Sequence, residues 1–157
     1  MSIRVSDIIK LETLKSMKLI GGLGGIENSV EWIYIAECFA DPLESVKWIQ
    51  GGELIFITGL SLKGDMELLI DFIKGIVEKK GAGLIVNVGP YIDEIPLKIK
   101  DVADELELPL FELPWETKLS EVSQEVSHAI IMSRIEENSL SHFLGNILFS
   151  DGEQHNG

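Results

Sequence analysis

A single cysteine, Cys38, rules out an internal disulfide framework and a multi-cysteine zinc site in this 157-residue chain. Basic residues are scarce, 13 Lys and Arg against 26 Asp and Glu, for a net charge of −13. Such a surface repels nucleic-acid phosphates and anionic lipid unless basic charge is concentrated somewhere. The densest basic pair is Lys79–Lys80, so direct DNA binding by this chain is not expected. Long apolar runs are missing, and the opening MSIRVSDIIK has no signal-peptide hydrophobic region. A soluble, cytoplasmic protein without membrane contact is the expectation.

Catalytic groups are also thin. The three histidines, His128, His142 and His155, all fall in the C-terminal part, and none has metal-ligand spacing with another His or Cys. No metal or cofactor is expected. Cys38 has no adjacent base and reads as a small buried residue. There is no G-x-S-x-G elbow. Pairs such as Asp93–Glu94 and Glu136–Glu137 read as solvated charges. No catalytic residues are assigned, and an enzyme is not expected.

What is present suffices for one packed domain. Hydrophobic residues make up 45% of the chain, too many for general disorder. VSDIIKLETL predicts a short helix capped by Ser6, and MKLIGGLGG a short apolar piece with a glycine turn. SVEWIYIAE has strand propensity, with Val30, Trp32, Tyr34 and Ala36 on one side. ADPLESVKWI reads as a short helical turn with Pro42 near its start.

The most regular part follows. ELIFITG and GLIVNVG are short apolar runs ending in glycine, as strands buried on both faces do. PLFELPW is a third strand between Pro109 and Pro114. Between them, DMELLIDFIKGIVEKK puts Leu69, Phe72, Ile73, Ile76 and Val77 on one helical stripe, capped by Asp65 and ended by Lys79, Lys80 and Gly81. EIPLKIKDVADELEL does the same with Ile99, Val102, Ala103 and Leu106, with Pro96 near its first turn. Residues 53–113 therefore read β-α-β-α-β, which right-handed crossovers turn into parallel strands. The fold class is α/β: a small, mostly parallel sheet on this core, with a C-terminal helical extension. Past Trp115 a long helix is expected, interrupted near Asn138–Ser139. Its stripe of Leu119, Val122, Val126 and Ala129 needs a cover. That cover is its own domain, a second copy or an absent domain.

Two glycine-rich loops invite comparison with nucleotide sites. GLSLKGDM has the G-x-x-x-x-G spacing of a phosphate loop, but Asp65 and Met66 stand where Lys and Ser or Thr carry the chemistry. GGLGGIENS has Glu27 where a dinucleotide fingerprint needs its third glycine, and a strand follows instead of a helix. Both are expected to be structural turns. Ligands of parallel sheets bind at the carboxyl ends of the strands. Those ends offer Thr58, Gly59, Asn87, Gly89, Tyr91, Glu112 and Trp115, a candidate set for a small polar molecule. The plainer alternative is that Thr58 and Asn87 satisfy loop backbone while Tyr91 and Trp115 pack.

Three segments in order, VSDIIKLETLKSMKLIGGLGGIENSVEWIYIAE, DPLESVKWIQGGELIFITGLSL and GLIVNVGPYIDEIPLKIKDVADELELPLFELPWE, resemble the N-terminal domain of PucR-type purine catabolism regulators, over about residues 1–125. The strongest matches are Trp32–Ile33 followed by Glu37, the run Trp48 to Gly59, Gly89 with Tyr91, and Pro109 to Glu116. The βαβαβ order is also similar to the N-terminal domains of HPr kinase and the Mur ligases, an analogy of architecture alone. The resemblance implies a sensory domain over 1–116, a helical connector over 117–150 and a disordered tail over 151–157. The chain would be a fragment of a longer regulator. Its signal would be a small metabolite, such as a purine-degradation intermediate, and DNA would be met only through an absent C-terminal helix-turn-helix. A homodimer through Leu119, Val122, Val126 and Ala129 is the accompanying expectation; a module that only dimerises and binds no ligand is the alternative.

Overall fold

The computed structural model describes residues 2–36, 41–62, 64–89, 92 and 94–153, without the side chains of Ser61 and of residues 139–143 and 145–153. In chain order the elements are helix α1 (Val5–Ile8), strands β1 (Lys18–Gly21) and β2 (Trp32–Ile35), helix α2 (Pro42–Ser45), strand β3 (Glu53–Thr58), the single turn α3 (Gly59–Leu62), helix α4 (Met66–Glu78), strand β4 (Gly83–Asn87), helix α5 (Leu97–Leu106), strand β5 (Leu110–Leu113) and helix α6 (Leu119–Glu153). The sheet has five strands in the order β1-β5-β4-β3-β2. Strands β2 to β5 are parallel, and β1 runs antiparallel to β5. The mostly parallel α/β sheet expected from the βαβαβ core is what forms.

Alternation along the strands builds two cores. Ile55 and Ile57 of β3 and Leu84 and Val86 of β4 point to one face, where Leu69, Phe72, Ile73 and Ile76 of α4 and Ile99 and Ala103 of α5 cover them. Leu54, Phe56, Ile85 and Phe111 point to the other face, under Val5 and Ile8 of α1, Leu14, and Val122, Val126 and Ile130 of α6. The sheet is thus sandwiched between helices, and β3 and β4 read as uninterrupted apolar runs because both of their faces are buried.

Several local expectations are corrected. The first helix is one α-turn plus a 3-10 turn at Glu12–Leu14, and its N-cap is Arg4. Ser6 is not the cap; Asp7 Oδ2 reaches back to accept from the Arg4 N–H at 3.0 Å. Val30 lies just before β2 and packs with the α6-side core, apart from Tyr34 and Ala36 on the α4 side. Asp65 does cap α4, accepting from the Leu68 N–H at 3.0 Å. The left-handed residue after α4 is Lys80, φ +63°, and not Gly81.

Helix α6 shows no break near Asn138–Ser139; it runs for 35 residues, about 52 Å. Its polar stretch at Ser133–Ser139 follows the buried stripe that ends at Ile130 and meets only the rim of the sheet, where Arg134 reaches Glu31 and the Trp32 ring, so the helix continues without interruption. The helix also covers 151–153, the start of the expected disordered tail. Residues 119–130, the first third of the expected connector, are part of the domain's core: Val122 and Val126 are fully buried there, Leu119 packs against the same cluster and Ala129 is half-buried. Of the three covers that the stripe could have had, its own sheet takes this part.

The glycine cluster after β1 is a structural turn. Gly22 has φ +80°, and a Cβ on it would overlap the Leu108 carbonyl oxygen. Its N–H donates to Asp104 Oδ1 at 2.7 Å. The turn lets the chain pass against the backbone before β5, which positions β1 as the antiparallel edge. Cys38 and Glu37 lie outside the described residues.

Candidate functional site

The strand ends do meet at one edge. Thr58 of β3 is the register partner of Asn87 of β4, and Asn87 is the partner of Leu113 of β5. Strand alternation then divides the candidate residues. Thr58 continues the series Leu54, Phe56, and Asn87 continues Ile85, so both point toward the α6 face. Glu112 lies between Phe111 and Leu113, which face α6, so it points the other way.

On that other face lies a cleft of about 340 Å³. The β4 exit supplies Val88, Gly89 and Ile92, the β5 exit supplies Glu112, Pro114, Trp115 and Glu116, and the entry to β1 supplies Ser16 and Lys18. Gly89, Glu112 and Trp115 of the candidate set are therefore together. Thr58, Gly59 and Asn87 do not line this cleft. Tyr91 lies outside the described residues.

The chemistry of the cleft follows from its register. Lys18 and Glu112 are direct partners across the antiparallel β1–β5 pair, so their side chains leave the sheet on the same side. They line the cleft without closing an ion pair to each other among the described residues. A cation and a carboxylate side by side can serve a ligand that has both an acceptor and a donor end. Trp115 adds an apolar wall, half exposed. The wall is pressed against the Gly89 backbone, where a Cβ would stand 2.7 Å from Trp115 Cβ, Cδ2 and Cε3. Val88 N–H donates to the Leu113 carbonyl at 3.0 Å, holding the two exits together.

The same wall leads directly into α6. Thr117 N–H donates to the Pro114 carbonyl, and Glu121 and Val122 N–H both donate to the Lys118 carbonyl, each at 3.1 Å. Two residues of the cleft, Trp115 and Glu116, therefore stand within four residues of the helix start at Leu119.

Asn87 is buried, and its Oδ1 has no hydrogen-bond partner among the described residues. Lys18, Ser16 and Glu116 are the polar cleft residues that sequence reasoning missed. Lys18 enters only through the pairing of β1 with β5, a contact between segments more than ninety positions apart that no local pattern encodes. Among the described residues no group of three or more His, Cys, Asp or Glu is placed to hold a metal, and no helix is long and apolar enough to cross a membrane.

Comparison with known proteins gives one consistent result. The purine catabolism regulatory protein-like family matches residues 7–130. The purine catabolism regulatory protein of Bacillus subtilis (strain 168) is 27% identical over 129 residues, 82% of this chain and 24% of the relative. The chain thus spans about a quarter of the length of that relative. No solved structure matches.

Proposed function

Since the chain belongs to the purine catabolism regulatory protein-like family, we propose that it is the sensory domain of a transcription regulator of purine or other nitrogen-compound catabolism. In this reading a small polar metabolite binds in the cleft of Lys18, Gly89, Glu112 and Trp115. The remainder of the regulator, including its DNA-binding part, would lie beyond α6. The domain regulates and does not catalyse.

The observation that supports this most is the continuity of the cleft with α6 through Trp115 and Glu116. A ligand shifts a conformational equilibrium only by binding one arrangement better than the other. One wall of this cleft is the segment that sets the start of α6, so contacts made there bear on where the helix points. Lys18 and Glu112 favour a ligand with an anionic or carbonyl end and an N–H end. The test is calorimetry of the full chain against a panel of purine-degradation intermediates and other small amides. Binding that is lost in Trp115→Ala and weakened in Lys18→Gln supports the reading. Silence across the panel, with the protein shown folded, contradicts it.

A second reading, a homodimerisation module, is favoured by what α6 leaves uncovered. Val122 and Val126 are taken by the domain itself, but Ile131, Met132, Ile135 and Leu144 are exposed. A dimer would use this outer part of the helix. Light scattering of wild type and Ile135→Glu decides: a dimer that dissociates on substitution supports it, and a monomeric wild type removes it.

A further inference from the structure

At the other edge of the sheet, away from the cleft, lies a second groove of about 370 Å³. Its walls are Trp32 and Tyr34 of β2, Trp48 and Gln50, with Glu31 and Glu53 on its rim. Trp48 is 66% exposed and Trp32 45% exposed. Neither indole is part of either core. Two large aromatic surfaces are therefore held open beside two carboxylates in a chain of net charge −13.

The groove is built rather than incidental. The Glu53 carboxylate is fixed by two backbone donors, Gln50 N–H to Oε2 and Gly51 N–H to Oε1, both at 2.7 Å. Gly52 has φ +82°, and a side chain there would press on Glu31, so the turn carrying Trp48 and Gln50 is brought hard against the start of β2. The Glu31 N–H donates to the Gly52 carbonyl at 2.8 Å and locks that approach. The Tyr34 hydroxyl donates to the Ser45 carbonyl at 3.1 Å, which orients its ring.

The chain itself demonstrates the chemistry that this wall accepts. The guanidinium of Arg134, from α6, sits 5.4 Å from the centroid of the Trp32 ring. It donates to the Glu31 carbonyl oxygen and lies 3.5 Å from Glu31 Oε2. A tryptophan face with an adjacent carboxylate is thus already a guanidinium seat at this edge. Trp48 and Glu53 line the same groove, and Glu53 is the register partner of Trp32, so its carboxylate leaves the sheet on the same side as that indole.

We propose that the groove binds a small planar organic cation of the guanidinium class, stacked on Trp48 with Glu53 as its counter-charge. Guanidinium is planar, weakly hydrated and stacks on aromatic faces, which suits an open indole better than a strongly hydrated ammonium does. The groove has the volume of a small-ligand site. The neighbouring edge strand is only four residues long, a poor anchor for an extended peptide, so the occupant is a free small molecule.

The test is a calorimetric titration of the full chain at low salt with methylguanidinium, and with methylurea as the neutral planar isostere. A saturable response to methylguanidinium is expected, absent with methylurea and weakened by added salt. Trp48→Ala should weaken it by about tenfold, and Glu53→Gln by a similar factor. Trp48 is exposed, so its replacement leaves the fold intact and decides the matter even if Glu53→Gln fails to fold. Trp115→Ala should leave the titration unchanged, which separates this groove from the cleft. Equal responses to both probes, no saturation, an unaltered titration in Trp48→Ala, or binding seen only with an arginine-containing peptide would each overturn the proposal.

Discussion

The Trp115 side chain lies against the backbone of Gly89, so closely that a single methyl group on Gly89 would stand 2.7 Å from its Cβ and from the ring carbons Cδ2 and Cε3. The contact joins the exits of β4 and β5 and forms one wall of the cleft. Gly89→Ala must therefore move Trp115, at a cost of about 1–3 kcal/mol for forced repacking. The variant should stay folded, with a shifted tryptophan emission and lost metabolite binding. Chemical denaturation alongside calorimetry checks both parts.

A second prediction concerns α6. The burial of Val122, Val126 and Ile130 beneath the sheet contributes roughly 5–9 kcal/mol in all, taking about 1.5–3 kcal/mol for each side chain. That is comparable to the whole stability of a typical domain, about 5–15 kcal/mol. A chain ending at Glu116 should be unfolded or molten, whereas one ending at Glu137 should melt cooperatively. Val126→Ala should cost about 2 kcal/mol. Circular dichroism melts of the three variants test this.

Among the described residues, Lys80 and Glu107 are the non-glycine residues with positive φ, +63° and +54°. Each follows a helix of the βαβαβ core, at the left-handed position where glycine is the usual residue. Lys80→Gly and Glu107→Gly should each stabilise the fold by up to about 1 kcal/mol, because the left-handed strain removed exceeds the flexibility added. A higher denaturant midpoint with an unchanged slope is the expected readout.

The Asp104 carboxyl is held below its ordinary value of 3.8, first by its hydrogen bond with Lys100 and then by the Gly22 N–H. A carboxylate with a depressed folded-state pKa contributes stability that is present above its unfolded value and lost as pH falls through the folded one. Asp104→Asn should therefore be less stable than wild type at neutral pH, and the difference should vanish as pH drops below that lowered value. The same substitution should loosen the Gly22 turn. Denaturant midpoints of both proteins across acidic pH measure the effect.

The core elements were legible because their signals are local. β3 and β4 announce themselves as unbroken apolar runs, and α4 and α5 as 3.6-residue stripes closed by Asp65 and Pro96. What stayed hidden depended on partners. Lys18 belongs to the cleft only because β1 pairs with β5. The choice of cover for Val122 and Val126 cannot be read from the helix alone, since its own sheet and a second copy would ask for the same stripe. The division of the strand-end residues was legible in principle. Glu112 is one position from Leu113, the register partner of Asn87, and one position along a strand is the opposite face.

The central claim is that a metabolite held by the cleft acts on the start of α6. Amide hydrogen exchange of the full chain, with and without a metabolite found by calorimetry, reads that link directly. The account predicts slowed exchange at Thr117, whose amide closes the turn at Pro114, and at Glu121 and Val122, whose amides close the first turn of α6, in wild type but not in Trp115→Ala. Binding that leaves these three amides unchanged, while protecting residues around Thr58 and Gly59 instead, would contradict it.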